Sequence, residues 1–316
     1  MRTHTQGQTP SAQLAKPEQI VVATDLTDWE FLLPHAIAQA KASGAHITLV
    51  HSLMSAGIPV LDVGSFAQVE EFADKTMKDL VDIVKAKGIS CNSVIAHVYC
   101  PEDTLPDIAR RLGAKRVIMA THGRGKIGQI MLGSVAHELL SILDIPIFAV
   151  GPKAANHAEH CSPKKILHPV SFSSGYQESI EFARNIAELY GAELILMHVL
   201  DPDLGDEINP KRTIAWAKTA LDDAIPDRTT IPLRTHVACG NIVDEILNTA
   251  SVLRADWIVL GTKPLSTKPM SYVPLFPDSK AYKLVAAANI PVLTLPHRVR
   301  KDAEEFDKQY IPVAVY

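Results

Sequence analysis

Five segments from the first half of this chain recur, in the same order, in the second half. Lys165 to Val170 repeats the apolar run Ile20 to Thr24, with Ser171 standing where Asp25 stands. Leu194 to His198 repeats Ile47 to His51, and His236 to Cys239 repeats His97 to Cys100. Trp257 to Thr262 repeats Arg116 to Thr121, and Ile290 to Leu293 repeats Ile145 to Phe148. The offsets run from 139 to 147 residues. One such match means little, but five in one order mark a tandem duplication. The fold must therefore be a unit that serves twice, and the 316-residue length agrees with two domains.

Within one unit, short apolar runs alternate with helical spacing. Ile20 to Thr24 reads as a strand ending at Asp25. Thr27 or Asp28 caps a helix whose apolar face includes Phe31, Leu32, Ile37 and Ala40, with Pro34 expected near its first turn and Gly44 at its end. A strand over Ile47 to His51, a loop over residues 53–65 and a helix over Phe66 to Lys87 follow. A third strand near Asn92 to Val98, a helix near Leu105 to Leu112 and a strand ending at Ala120 come next. The last pair is a helix after Ser134 and the run Ile145 to Val150. Alternating strands and helices make a parallel α/β sheet with right-handed crossovers.

The run after Ala120 carries the chemistry. It breaks into a basic, glycine-rich loop containing His122, Gly123, Arg124 and Lys126, then closes on Gly133-Ser134 at a helix start. Glycines admit close backbone approach, and helix-start N–H groups with the helix dipole favour an anion. The loop is not a Walker A motif, because no Gly-Lys-Ser or Gly-Lys-Thr has the required spacing, and Gly123, Gly125 and Gly128 sit too far before the helix for a dinucleotide fingerprint. The better pattern is Ala120-x-x-Gly123, nine residues, then Gly133-Ser134.

That pattern resembles the nucleotide-binding signature of the universal stress protein family, whose usual first residue is Gly where this chain has Ala120. The resemblance covers residues 18–151 directly and 165–297 through the repeat, with a linker at 152–164, a disordered tail at 1–17 and a C-terminal tail at 298–316. It implies two tandem doubly wound domains, each a five-stranded parallel sheet in the order 3-2-1-4-5 with helices on both faces. In such sheets ligands bind where the strand order reverses, here between the strands ending at Asp25 and Ala120. It further implies that Ala23, Thr24 and Asp25 border a nucleotide, with Asp25 near the ribose or a magnesium ion. Ser52 would offer backbone to adenine, and Met119 and Ala120 would pack on ribose and base. Gly123, Gly133, Ser134 and Val135 would take the phosphates, with His122 and Arg124 beside them. The implied ligand is ATP with Mg²⁺, and the implied assembly is a homodimer or a pseudo-dimer of the two halves.

The second half departs from this pattern. Ser279 matches Ser134, but Asp278 replaces Gly133, Pro264 replaces Gly123, and four residues are inserted between. Prolines remove amide donors and a carboxylate repels phosphate, so this half is expected not to bind a triphosphate.

Composition closes other routes. Net charge is −4, which argues against nucleic acid or an anionic membrane as partner, and no apolar stretch reaches the roughly 18 residues of a membrane helix. The polar N-terminus lacks the apolar centre of a secretory signal. Cys91, Cys100, Cys161 and Cys239 form no CxxC pair and suit free thiols in a reducing cytoplasm. His157, His160, Cys161 and His168 match no standard zinc spacing. His51 and His198 read as satisfied core histidines. No catalytic triad or carboxylate pair is legible. The expected role is a nucleotide-dependent binding module in stress response, with a slow ATP hydrolase and a nucleotide-independent scaffold as the alternatives.

Overall fold

The computed structural model describes residues 17–54, 63–98, 101–121, 132–154, 161–172, 176–200, 210–225, 229–262 and 279–296. The first half runs β1 (Gln19–Ala23), α1 (Trp29–Ser43), β2 (His46–Met54), α2 (Val63–Ala86), β3 (Cys91–Val98), α3 (Pro101–Arg111), β4 (Ala114–Ala120), α4 (Ser134–Ile142) and β5 (Ile147–Val150). The second runs β6 (Lys165–Pro169), α5 (Tyr176–Tyr190), β7 (Glu193–Leu200), α6 (Pro210–Asp223), β8 (Leu233–Cys239), α7 (Ile242–Leu253), β9 (Trp257–Thr262), α8 (Lys280–Ala287) and β10 (Val292–Pro296).

All ten strands form one sheet in the order β3-β2-β1-β4-β5-β10-β9-β6-β7-β8. Each half is parallel with the order 3-2-1-4-5, as its alternating elements require. The halves meet through an antiparallel pair, β5 with β10, with Phe148 opposite Leu293. These two apolar edge strands would otherwise expose unpaired backbone. The Thr294 hydroxyl adds a bond to the Ile147 carbonyl across the seam.

Side chains alternate along each strand, so the sheet carries two apolar layers. Ile20, Val22, Leu49 and Ile118 face α1 and α2, and the same layer continues through Ile166 and Trp257 to α5. Val21, Val50, Val117 and Met119 face α3 and α4, and that layer continues through Leu167, Ile258 and Leu284. Both layers therefore cross the seam. Phe148 and Trp257, each fully buried, meet edge to face with ring centroids 4.7 Å apart.

Three expectations need adjustment. Pro34 lies six residues past the Asp28 N-cap, in the second turn of α1. It is exposed, so the partner it denies the helix is replaced by water. Helix α2 begins at Val63, earlier than Phe66. The third-strand match slips by three residues: Leu53 pairs with His97 and its counterpart Leu200 pairs with Cys239, so His97 corresponds to Cys239 and not to His236. The other four matches keep their registers across β1/β6, β2/β7, β4/β9 and β5/β10. The C-terminal tail and Cys100 lie outside the described residues. Cys91, Cys161 and Cys239 are free thiols.

Candidate functional site

The strand order reverses between β1 and β4, and a cavity of about 340 Å³ opens there at their carboxyl ends. That volume is in the range of small-molecule sites. Ala23, Thr24 and Asp25 come to it from the end of β1, and Ser52 from β2. Met119 and Ala120 come from β4, and Gly133, Ser134 and Val135 from the start of α4. His122, Gly123 and Arg124 lie outside the described residues, as does Lys126.

The β1–α1 turn is held by its own side chains. Leu26 adopts a left-handed φ of 70°, which a β-carbon disfavours, and its side chain is buried. The Leu26 amide donates to the Thr24 hydroxyl at 3.0 Å. The Asp25 Oδ1 accepts from both the Thr27 amide, at 2.8 Å, and the Thr27 hydroxyl, at 2.6 Å. The Thr24 hydroxyl in turn donates to Asp28 at 2.5 Å. Asp28 is the N-cap of α1, yet its side chain makes no cap bond; it lies 6% exposed in the cavity wall. Burial pushes its carboxyl up to about 6, the Thr24 hydrogen bond opposing and the Asp25 charge reinforcing that shift.

The other end of the cavity is an open helix start. Gly133, at φ −63° and ψ 155°, is the N-cap of α4 and offers no capping side chain. Its own amide donates to the Thr121 carbonyl at 2.8 Å, which ties the helix start to the end of β4. The Gly133 amide is thus engaged, and the residue leaves open the space a side chain would fill. The first-turn amides of Ser134, Val135 and Ala136 have no acceptor within the helix, and all three residues line the cavity. Between the two ends, the Ser52 Oγ is buried and makes no hydrogen bond.

Asp28, His51, Thr121 and Ala136 also line the cavity and were not anticipated there, as do the apolar Val50, Leu105 and Leu139. Asp28 signalled only a helix cap. His51 read as a core histidine, and its Nδ1 does bond the Thr24 carbonyl at 2.9 Å, but the residue also lines the cavity. The duplicated His198 makes the duplicated bond, to the Val170 carbonyl at 2.7 Å.

The second half shows a different end state. Phe172, the counterpart of Leu26, packs against His198 with centroids 4.7 Å apart and against Trp216 at 5.3 Å. Ser279 caps α8, its hydroxyl accepting from the Tyr282 amide at 3.2 Å, so one helix-start donor is already used. Pro264 and Asp278 lie outside the described residues. His168 is fully buried, with Nδ1 2.9 Å from the Val259 carbonyl and Nε2 3.0 Å from the Ser179 hydroxyl. Both ring nitrogens are committed, which removes it from any zinc cluster with Cys161. Among the described residues no group of three potential ligands could hold a metal ion.

These two buried groups make a testable pair. Burial pushes His168 from 6.5 down to about 4, so below pH 6.5 the unfolded chain binds the proton better and stability falls as pH drops toward 4. Asp28, raised from 3.8 to about 6, acts oppositely: its contribution is full below 3.8 and is lost as pH rises toward 6. Each is worth about 3 kcal/mol, so they nearly cancel in the intact protein. Asp28→Asn is expected to unmask the histidine, giving a stability that climbs about 3 kcal/mol between pH 4 and 6.5. It should exceed the parent by a similar amount at pH 7. Urea unfolding across this pH range checks it, and a flat profile in the variant would refute the assignment.

A family model described as the universal stress protein family matches residues 17–151 and 163–296. The chain belongs to the universal stress protein family and carries two of its domains in tandem. The solved structure of a universal stress protein from Archaeoglobus fulgidus DSM 4304 is similar, with a TM-score of 0.65 at 17% identity. That similarity covers 88% of this chain and 98% of the other. A putative universal stress protein from Pseudomonas aeruginosa UCBPP-PA14 gives 0.61 at 17% identity, over 89% of this chain and 94% of the other. Both likenesses speak to the fold. No curated protein matches the chain. Among the described residues no helix is long and apolar enough to cross a membrane.

Proposed function

We propose that the first half binds an adenine nucleotide, ATP with Mg²⁺, and that the protein acts in the cytoplasm as a nucleotide-dependent binding module in stress response. The observation that carries this reading is the cavity at the β1–β4 switch point, with uncapped helix-start amides at one end and an unpaired buried hydroxyl at the other. The amides of Ser134, Val135 and Ala136 suit phosphate oxygens. The apolar walls at Ala23, Met119 and Ala120 suit a ribose and base. The buried Ser52 hydroxyl lacks a protein partner and fits a ligand that supplies one. Asp25 spends one carboxylate oxygen on Thr27 and keeps the other for a ribose hydroxyl or Mg²⁺. A bound Mg²⁺ would neutralise phosphate charge beside Asp25 and Asp28.

The second half is assigned no triphosphate, because Ser279 already occupies one helix-start donor and Phe172 packs on His198 at the strand ends. Calorimetric titration of the full chain with Mg-ATP, AMP and cyclic AMP tests the reading. One site per chain is expected. Two equal sites, or none for any of the three, would overturn it.

A further inference from the structure

Strands β2 and β7 differ at one position in a way that bears on what the site holds. Val50 and Ser52 point from β2 toward the same face, and both line the cavity. Val50 belongs to the apolar layer beneath α3 and α4. Val50 pairs with Ala23, as Met197 pairs with Pro169 in the second half. Two residues on, Ser52 therefore corresponds to Val199, which packs against the same apolar layer. The fold accepts an apolar side chain at this position, yet the half with the open helix start keeps a hydroxyl there. That hydroxyl is buried and unbonded, whereas buried polar groups are paired as a rule.

The cavity's direction says what it meets. The sheet order is β2-β1-β4, with the anion-binding helix start on the β4 side and Ser52 on β2. Two strand spacings separate these ends, about 10 Å. A nucleotide with its phosphates at α4 puts its base toward β2.

We propose that the Ser52 hydroxyl hydrogen-bonds the polar edge of the bound base, a side-chain contact that Val199 of the second half cannot make. This rests on the nucleotide reading above. The hydroxyl can donate or accept, so it serves a ring nitrogen or an exocyclic amine.

The test uses the full chain with Ser52→Ala and Ser52→Val, the latter importing the residue of the second half. Two measurements are made on each: calorimetric affinity for Mg-ATP and thermal stability without nucleotide. ATP affinity is expected to fall about tenfold, the effect of one hydrogen bond lost. Ligand-free stability should rise, because the removed hydroxyl had no partner. Unchanged ATP affinity would overturn the proposal. So would a fall in both affinity and ligand-free stability, which marks a structural serine. If the parent chain binds no nucleotide, the failure belongs to the function proposed above.

Discussion

Gly133→Asp is expected to weaken nucleotide binding about a thousandfold while slightly stabilising the ligand-free protein. The two effects have one origin. Gly133 is the N-cap of α4, in the extended conformation that aspartate favours at that position. An aspartate there would accept from the free first-turn amides, raising stability by a few tenths of a kcal/mol over glycine. Those amides are the donors proposed for the phosphates, so capping consumes them. It also sets a carboxylate against phosphate, and a like-charge pair near 4 Å costs about 4 kcal/mol at an effective dielectric near 20. That is about three powers of ten in affinity. Ser134→Ala should be milder, at about 1.5–3 kcal/mol for one contact to a charged group. Calorimetry with Mg-ATP, paired with thermal melts, reads both effects. Undiminished affinity would place the phosphates elsewhere.

Trp257→Ala is expected to cost about 3–5 kcal/mol and to weaken both halves together. Trp257 is fully buried on β9, yet its ring meets Phe148 of the first half and Tyr190 of the second, with centroids 4.7 Å and 5.1 Å away. Its removal opens a cavity in the layer that runs across the seam. Fluorescence and circular dichroism followed through urea should therefore show one transition, displaced to lower denaturant with the slope retained. Two transitions, with only the later elements shifted, would show that each half keeps a separate core.

Much of this was legible in the sequence because the chain states it twice. Apolar runs such as Ile20 to Val22 and Ile166 to Leu167 sit in buried strands, where the pattern is hard to miss. The edge strands are another matter. Asn92, Ser93 and His97 are exposed on β3, so no apolar alternation fixed its match with β8, and the sequence comparison slipped three residues. The glycine-serine helix start was equally readable, since Gly133 and Ser134 are neighbours in the chain. Asp28 and His51 were not read as cavity residues because the turn aims them. The left-handed Leu26 brings Asp28 back onto Thr24, and β2 lies beside β1 only once the sheet forms. The Gly133 amide is engaged with Thr121, so under the proposed reading Gly133 acts through the side chain it lacks.

The antiparallel seam between β5 and β10 has a consequence for how the two copies can differ. Two separate chains joined along such an edge part on dilution and must share every substitution. Here the partner is tethered, so the encounter is intramolecular and its effective concentration does not depend on how much protein is present. Each copy is also free to drift alone. One keeps an uncapped helix start, while the other spends Ser279 on its own helix and fills its strand ends with Phe172. Because β5 and β10 run in opposite directions, these two ends open at opposite rims of the sheet. The proposed ligand site thus lies at one rim, and the surface at the other can change without disturbing it.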